Sequence, residues 1–266
     1  MSAKALRIAP INAVDARGCV RRHHYSGKVV NNSQLHLGVF WNGNLEGAMQ
    51  FGPSLDKRKL RGLVADTPWN GFIELNRMAF SERLPRNSES RALAIAFRLM
   101  RKHYPHLQWV VSFADAAQSG DGTIYRAAGF VLTGIKRNDQ IWISPSGERF
   151  ARFSLTDQSS LQQQQSARRV VSRKTVTKGQ HILAVDGAAS MRPYVEAGWA
   201  PIEGYQLRYV YFLDRAAAAR LTVPVIPFAR IDEMGAGMYR GEARAKQATE
   251  ALPVSGGGAA PTRALQ

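Results

Sequence analysis

The sequence predicts a mixed α/β (α+β) protein, a strongly twisted central sheet flanked by helices with a C-terminal extension. Three observations carry that prediction. Residues 72–130 read as strand, loop, helix, strand, loop, helix. Ahead of them, Leu35–Trp41 and Leu45–Phe51 flank Asn42-Gly43-Asn44, and Asn-Gly between apolar runs is a strong short-range hairpin signal. Hydrophobic residues make up 45% of the 266 positions, which is ordinary for a chain that buries a core.

At the amino end, Leu6-Arg7-Ile8-Ala9 reads as a short strand and Asn12–Val20 as a helix. Arg21-Arg22-His23-His24-Tyr25-Ser26-Gly27-Lys28 is the densest cluster of reactive side chains. Structurally it reads as a polar helix end with a glycine cap. Chemically, His24 can accept or hand on a proton, and Tyr25 offers a phenol or a face on which a base stacks. Arg21, Arg22 and Lys28 suit phosphates. After the hairpin, residues 52–70 read as a loop containing the basic run Lys57-Arg58-Lys59-Leu60-Arg61, a solvated face or a set of phosphate contacts. Trp69 reads as core in preference to a stacking platform.

Phe72–Phe80 alternates as a strand. Leu84–Ser90 is a polar loop whose Asn and Ser residues suit a helix N-cap. From Arg91 to Tyr104, Leu93, Ala96, Phe97 and Met100 recur at i, i+3, i+4 and i+7 along one helix face, and Pro105 stops the helix. Residues 107–114 form a second strand closed by Asp115, and residues 122–130 a short helix ending at a glycine C-cap. This βαβα order implies two parallel strands whose loops open on one edge, where Ser88, Ser90 and Asp115 emerge. The start of the crossover helix presents free backbone amides, a site for an anionic group. An ordinary βαβ core with a capped helix accounts for the same pattern.

Residues 131–135 and 140–143 read as strands around a turn. Residues 156–180, with Gln162–Gln165 and five basic residues, read as a basic linker or insertion between a core over 1–155 and a C-terminal helix and strand over 181–240. Pro193–Trp199 echoes Ile124–Phe130, each ending in Ala-Gly-aromatic. Tyr205–Leu213 is long and aromatic and is expected to pair centrally with the sheet. Residues 221–238 read as extended, and 241–266, rich in Ala, Gly and Ser, as a disordered tail.

Charge narrows the function. Lys and Arg number 36 against 20 Asp and Glu, a net charge of +16, and a globular chain this basic suits a polyanion such as double-stranded DNA. No apolar run approaches the roughly 18 residues of a membrane span. The lone Cys19 fits a reducing cytoplasm.

The strand, loop–helix, strand order and the ending Tyr125-Arg126-Ala127-Ala128-Gly129-Phe130 resemble the acyl-CoA-dependent N-acetyltransferase (GNAT-like) fold. With His24–Lys28, Asn87–Ser90, Ser112–Asp115 and Gly204–Tyr209 in the same order, residues 21–241 resemble the phage Mom family of DNA-modification proteins. That resemblance implies a reaction, the conversion of adenine's exocyclic amine in phage DNA to a carbamoylmethyl (acetamido) amine, which shields the DNA from host restriction. It also implies catalytic residues at His24, Tyr25, Ser90 and Asp115, with Ser88 as the alternative serine. Asn87, Ser88, Ser90, Arg91 and Tyr125 are the donor-binding candidates. Arg21, Arg22, Lys28, Lys57, Arg58, Lys59 and Arg61 are the DNA-binding ones. The resemblance allows Fe(II) held by His24 and Asp115.

One departure stands out. Acetyltransferases place a glycine-rich turn where this chain has Arg86-Asn87-Ser88-Glu89-Ser90-Arg91. The missing glycine and the acid Glu89 point away from ordinary acetyl-CoA and towards another small-molecule donor. The competing readings are an acyl-CoA-dependent N-acetyltransferase acting on protein or a small molecule, and a non-catalytic basic DNA-binding protein.

Overall fold

The computed structural model describes residues 3–24, 29–115, 120–152, 155, 191–239 and 242–243. Tyr25 and Lys28, the stretch 156–180 and nearly all of the tail lie outside the described residues. Strands β1 (Arg7–Pro10), β2 (Leu35–Trp41), β3 (Asn44–Gly52), β4 (Phe72–Phe80), β5 (Trp109–Asp115), β6 (Val131–Asn138) and β10 (Gly204–Phe212) build one sheet. Their order is β1-β2-β3-β4-β5-β10-β6. Every adjacent pair is antiparallel except β4–β5, which the crossover helix α3 (Ser88–His103) makes parallel. The aromatic strand β10 lies between β5 and β6, within the sheet.

Two layers cover the sheet. On one face, Ala92, Leu93, Ala96, Phe97 and Met100 of α3 pack with Met49, Phe51, Leu75 and Val110 in the main core. Each large apolar side chain fully buried there contributes about 1.5–3 kcal/mol. Helix α4 (Thr123–Ala127) joins this face through Tyr125 and Phe130. On the other face, Ala48 meets Ala16 and Cys19 of α1 (Ala13–His23), whose N-cap Asn12 accepts from the Asp15 amide. Beside α1, Phe72 and Val111 pack with Leu63, Val64 and Leu60, and Leu60 belongs to the one-turn helix α2 (Lys57–Arg61).

The echo between the two aromatic endings has a structural cause. Phe130 N–H bonds back to the Tyr125 carbonyl and Trp199 N–H to the Tyr194 carbonyl. Gly129 (φ 85°) and Gly198 (φ 83°) both take the left-handed conformation. Both segments are helix ends closed by the same six-to-one bond. The second closes α5 (Arg192–Glu196) in a satellite of the fold. There β7 (Ile141–Ile143) pairs with β8 (Arg149–Ala151) and β9 (Ala200–Pro201) over Trp142, Phe150, Leu155 and Tyr194.

Several expectations are corrected. The loop over 52–70 contains α2, started by Asp56, whose carboxylate accepts from the Lys59 amide. Trp69 is 51% exposed and is not core. The helix expected from Arg91 begins three residues earlier, because Asn87 adopts the left-handed conformation (φ 68°) that turns the chain into it. The extended 221–238 stretch holds helix α6 (Ala229–Glu233), and Glu242–Ala243 of the tail pairs with Met238–Tyr239.

Candidate active site

The site begins with a strand pair that comes apart. β4 and β5 are paired only over Phe72–Glu74 and Trp109–Val111, yet they run on to Phe80 and Asp115. Past that point the two strands leave a gap in the middle of the sheet. Ser112 Oγ, which donates to the Leu75 carbonyl at 3.4 Å, stands at the fork. On its other side β4 carries a bulge. Gln50 faces Arg77 and Phe51 faces Leu75, so Asn76 is the extra residue. Its Oδ1 accepts from Ser33 Oγ at 3.0 Å.

That bulge changes which side chains share a face. Glu74 lies opposite Gly52 and Arg77 opposite Gln50, and both partners share the Ala48 side of β3. Glu74 and Arg77 therefore both project towards the α1 layer, although three residues apart. At the end of α1, the backbone amide of His24 closes the helix on the Val20 carbonyl. Its imidazole is pushed from the usual 6.5 down to about 3, first by burial and then by the charge of Arg77. It is therefore neutral at physiological pH and a weak base. Burial also raises the Glu74 carboxyl, against hydrogen bonds from Ser54 and Asn76 and the pull of Arg77. Tyr125 reaches the fork from the opposite face, where its phenol bonds to Ser112. Burial raises its pKa, Glu74 adds to the rise and Arg77 opposes it. Arg77 thus lies within electrostatic reach of His24, Glu74 and Tyr125.

The second half of the site is the N-terminus of α3. The Asn87 side chain does not cap it, and while the Ser88 amide donates to the Pro85 carbonyl, the Glu89 and Ser90 amides of the first turn keep their hydrogen-bonding capacity. Asn tolerates the left-handed conformation that most residues avoid, and it makes here the bend a glycine makes elsewhere. A cleft of about 450 Å³ runs past Phe80, Leu84, Arg86, Glu89 and Thr123. A second, of about 360 Å³, runs past Arg91, Ala94 and Ala128. Asn87, Ser90 and Ala127 line both. Of the two serines, Ser88 is buried and its hydroxyl donates to the Pro85 carbonyl at 2.6 Å. Ser90, whose hydroxyl donates to the Asn87 carbonyl at 3.3 Å, is the one at the cleft wall.

Asp115 ends β5 opposite Gln206, and alternation from Val111 and Phe113 puts it on the α1 side of the sheet. Arg21 and Arg22 are exposed in the last turn of α1, and Arg22 also reaches the Cys19 sulfur at 3.7 Å. The cations of α2 stand at the opposite end of β4 from α3's N-terminus, away from these residues. Among the described residues, no group of three or more His, Cys, Asp or Glu side chains could hold a metal ion, so the iron that the resemblance allows at His24 and Asp115 gains no ligand set. Also among them, no helix is long and apolar enough to cross a membrane. Glu74 and Arg77 are additions to the candidate set. Their signal in the sequence was a carboxylate and a guanidinium inside an apolar strand.

Comparison with known proteins gives three findings. A model of the Mom protein family matches residues 5–230. Over 131 residues the chain is 43% identical to the methylcarbamoylase mom of Escherichia phage Mu, covering 49% of this chain and 54% of that protein. The chain thus spans about half the length of the curated relative it matches. Among solved structures, the ribosomal-protein-S18-alanine N-acetyltransferase of Escherichia coli aligns with a TM-score of 0.40 at 12% identity, over 79% of this chain and 94% of that one. An IAA acetyltransferase from Bacillus cereus aligns at 0.39 and 10%, over 78% and 99%.

Proposed function

The chain belongs to the Mom protein family, and on that premise we propose that it transfers a carbamoylmethyl (acetamido) group from a small-molecule donor to the exocyclic amine of adenine in duplex DNA. Such a modification shields phage DNA from host restriction. One observation carries the reading. Past their short pairing β4 and β5 part, with a cleft at the α3 N-terminus on one face of the sheet and a cluster of titratable groups on the other. The name methylcarbamoylase given to the phage Mu relative and the net charge of +16 support the same chemistry and the same polyanionic substrate.

The donor enters from the α3 side. The Glu89 and Ser90 amides of the first turn, with Arg86 and Arg91 lining the clefts, favour an anionic group such as the pyrophosphate of an acyl-CoA or a related carrier. Glu89 opposes that charge and disfavours donors whose anionic part crowds it. When bound, the donor supplies the methylene carbon of the carbamoylmethyl group as the electrophile. The adenine nitrogen bonds to that carbon as its bond to the leaving group breaks, and the leaving group departs with the electron pair while the N–H proton passes to the base. Ser90 orients it from the cleft wall.

The adenine enters from the α1 side, out of the duplex stack, since an enclosed site cannot act on a paired base. Its amine is a poor nucleophile because the lone pair is delocalised into the ring. A base is needed as the new bond forms. Glu74, whose pKa burial raises above the ordinary 4.5, is the stronger base of the two, His24 lying at about 3. The neutral His24 hydrogen-bonds and orients the base, and Asp115 lies on the same side of the sheet; a stacking role for Tyr25 rests on the family resemblance alone. Tyr125, held protonated by burial, donates a hydrogen bond to negative charge developing at the fork.

Nucleoside mass spectrometry of plasmid from cells expressing the chain tests this reading. A heavier adenosine is expected, and Ser90→Ala is expected to reduce its yield at saturating expression. Plasmid with unmodified adenine throughout would refute the proposal. Acetylation of a protein in the same cells would then favour the acetyltransferase reading.

A further inference from the structure

Helix α2 and the turn after it form a surface that the chemistry of the gap does not use. Arg58, Lys59 and Arg61 are exposed, and Trp69, half exposed, lies flat among cations. Lys57 Nζ sits 4.9 Å above its ring and the Arg61 guanidinium 5.7 Å away. Lys57 is further fixed by donating to Asn70 Oδ1 at 3.1 Å. Asp56 is engaged as the helix cap. Exposed Arg215 heads a short 3-10 helix whose Ala217 packs into the same cluster as Leu60 and Val64. The indole therefore holds its cationic neighbours in place before any partner arrives, which lowers the entropy lost when they bind.

Position decides the partner. Leu60 anchors α2 in the cluster on the α1 side of the sheet, the side to which Glu74 and Arg77 project. Along β4, Phe72 and Arg77 are five residues apart, roughly 17 Å at a strand's rise per residue. That distance corresponds to about five base pairs of duplex, at one phosphate per roughly 3.4 Å of each strand. A duplex laid along this face with one adenine in the gap brings its backbone onto α2.

We propose that α2, Trp69 and Arg215 form a second DNA contact, which grips the phosphate backbone about five base pairs from the adenine being modified. The proposal rests on the reading that duplex DNA is the substrate. Its function is to fix the register of the duplex, and it takes no part in bond making. The contact is sequence-independent, because only phosphates and a stacking face are engaged.

The full chain carrying Arg58→Ala, Lys59→Ala and Arg61→Ala together tests it, since all three side chains are exposed. Binding is measured across salt concentrations to two duplexes with a central adenine, one with three and one with ten flanking base pairs on each side. Wild type is expected to bind the longer duplex more tightly. The triple variant is expected to lose that preference, with its salt slope reduced by about 0.9 for each phosphate contact removed. Trp69→Ala is expected to weaken binding to the longer duplex while changing the slope less. If the triple variant matches wild type on both duplexes, in affinity and slope, the second contact is wrong although DNA remains the substrate. If wild type shows no salt-dependent duplex binding, both readings fall.

Discussion

Glu74→Gln is expected to lower adenine modification by about 10²–10⁴-fold, the range for loss of a positioned base, with duplex affinity unchanged. The substitution keeps the shape and the hydrogen-bonding partners Ser54 and Asn76 but removes the proton acceptor. The pH dependence gives an independent signature. The base must be ionised to act, and burial places its pKa above the ordinary 4.5. Activity is therefore absent at low pH and appears as pH rises through that raised value. In the Gln variant this acidic limb disappears along with the rate. A steady-state rate measured from pH 5 to 9 in both proteins checks the prediction. An unchanged limb in Glu74→Gln would move the base to Asp115.

The largest effect on stability is expected from Trp109→Ala, at about 3–5 kcal/mol as for other buried large-to-small changes. Trp109 is fully buried at the start of β5, stacks on Phe72 at 4.3 Å and donates from Nε1 to Thr67 Oγ1 at 3.0 Å. Truncation leaves a cavity and removes the indole donor from the Thr67 hydroxyl, which keeps its own bond to the Val64 carbonyl. It also loosens the three-residue parallel pairing, Phe72–Glu74 with Trp109–Val111, that holds the base of the fork. Urea unfolding measures the loss, and Trp109→Phe, which keeps a stacked ring, is expected to lose clearly less. Equal losses for the two variants would show that stacking contributes nothing there.

Local signals made much of this architecture legible. Alternation marks Phe72–Phe80 as the strand it is, and the stripe of Leu93, Ala96, Phe97 and Met100 is the buried face of α3. The Asn-Gly turn does join β2 to β3, through Asn42 and Gly43 with positive φ. These features depend on neighbours in sequence, so sequence reveals them.

The heart of the site depends on other physics. A period-two reading of β4 puts Glu74 and Arg77 on opposite faces. The bulge at Asn76, set by pairing with a distant strand, brings them to the same one. The gap between β4 and β5 is likewise a property of how two strands diverge, which neither strand encodes alone. Trp69 read as core because indoles usually are. It stays outside because the cations of α2 surround it. Asn87 concealed itself differently. The absence of a glycine turn pointed away from ordinary acetyl-CoA, yet the left-handed asparagine supplies the bend and makes no side-chain cap of its own.

The account's central claim is that donor and adenine approach from opposite faces of the sheet and meet in the gap. Photocrosslinking tests it most directly, using a duplex with a photoreactive adenine at the target position and mapping the attached peptides. Attachment is predicted at the end of α1 and on β4, around His24, Glu74 and Arg77. Attachment confined to α3 and α4, around Ser90 and Ala127, would contradict it.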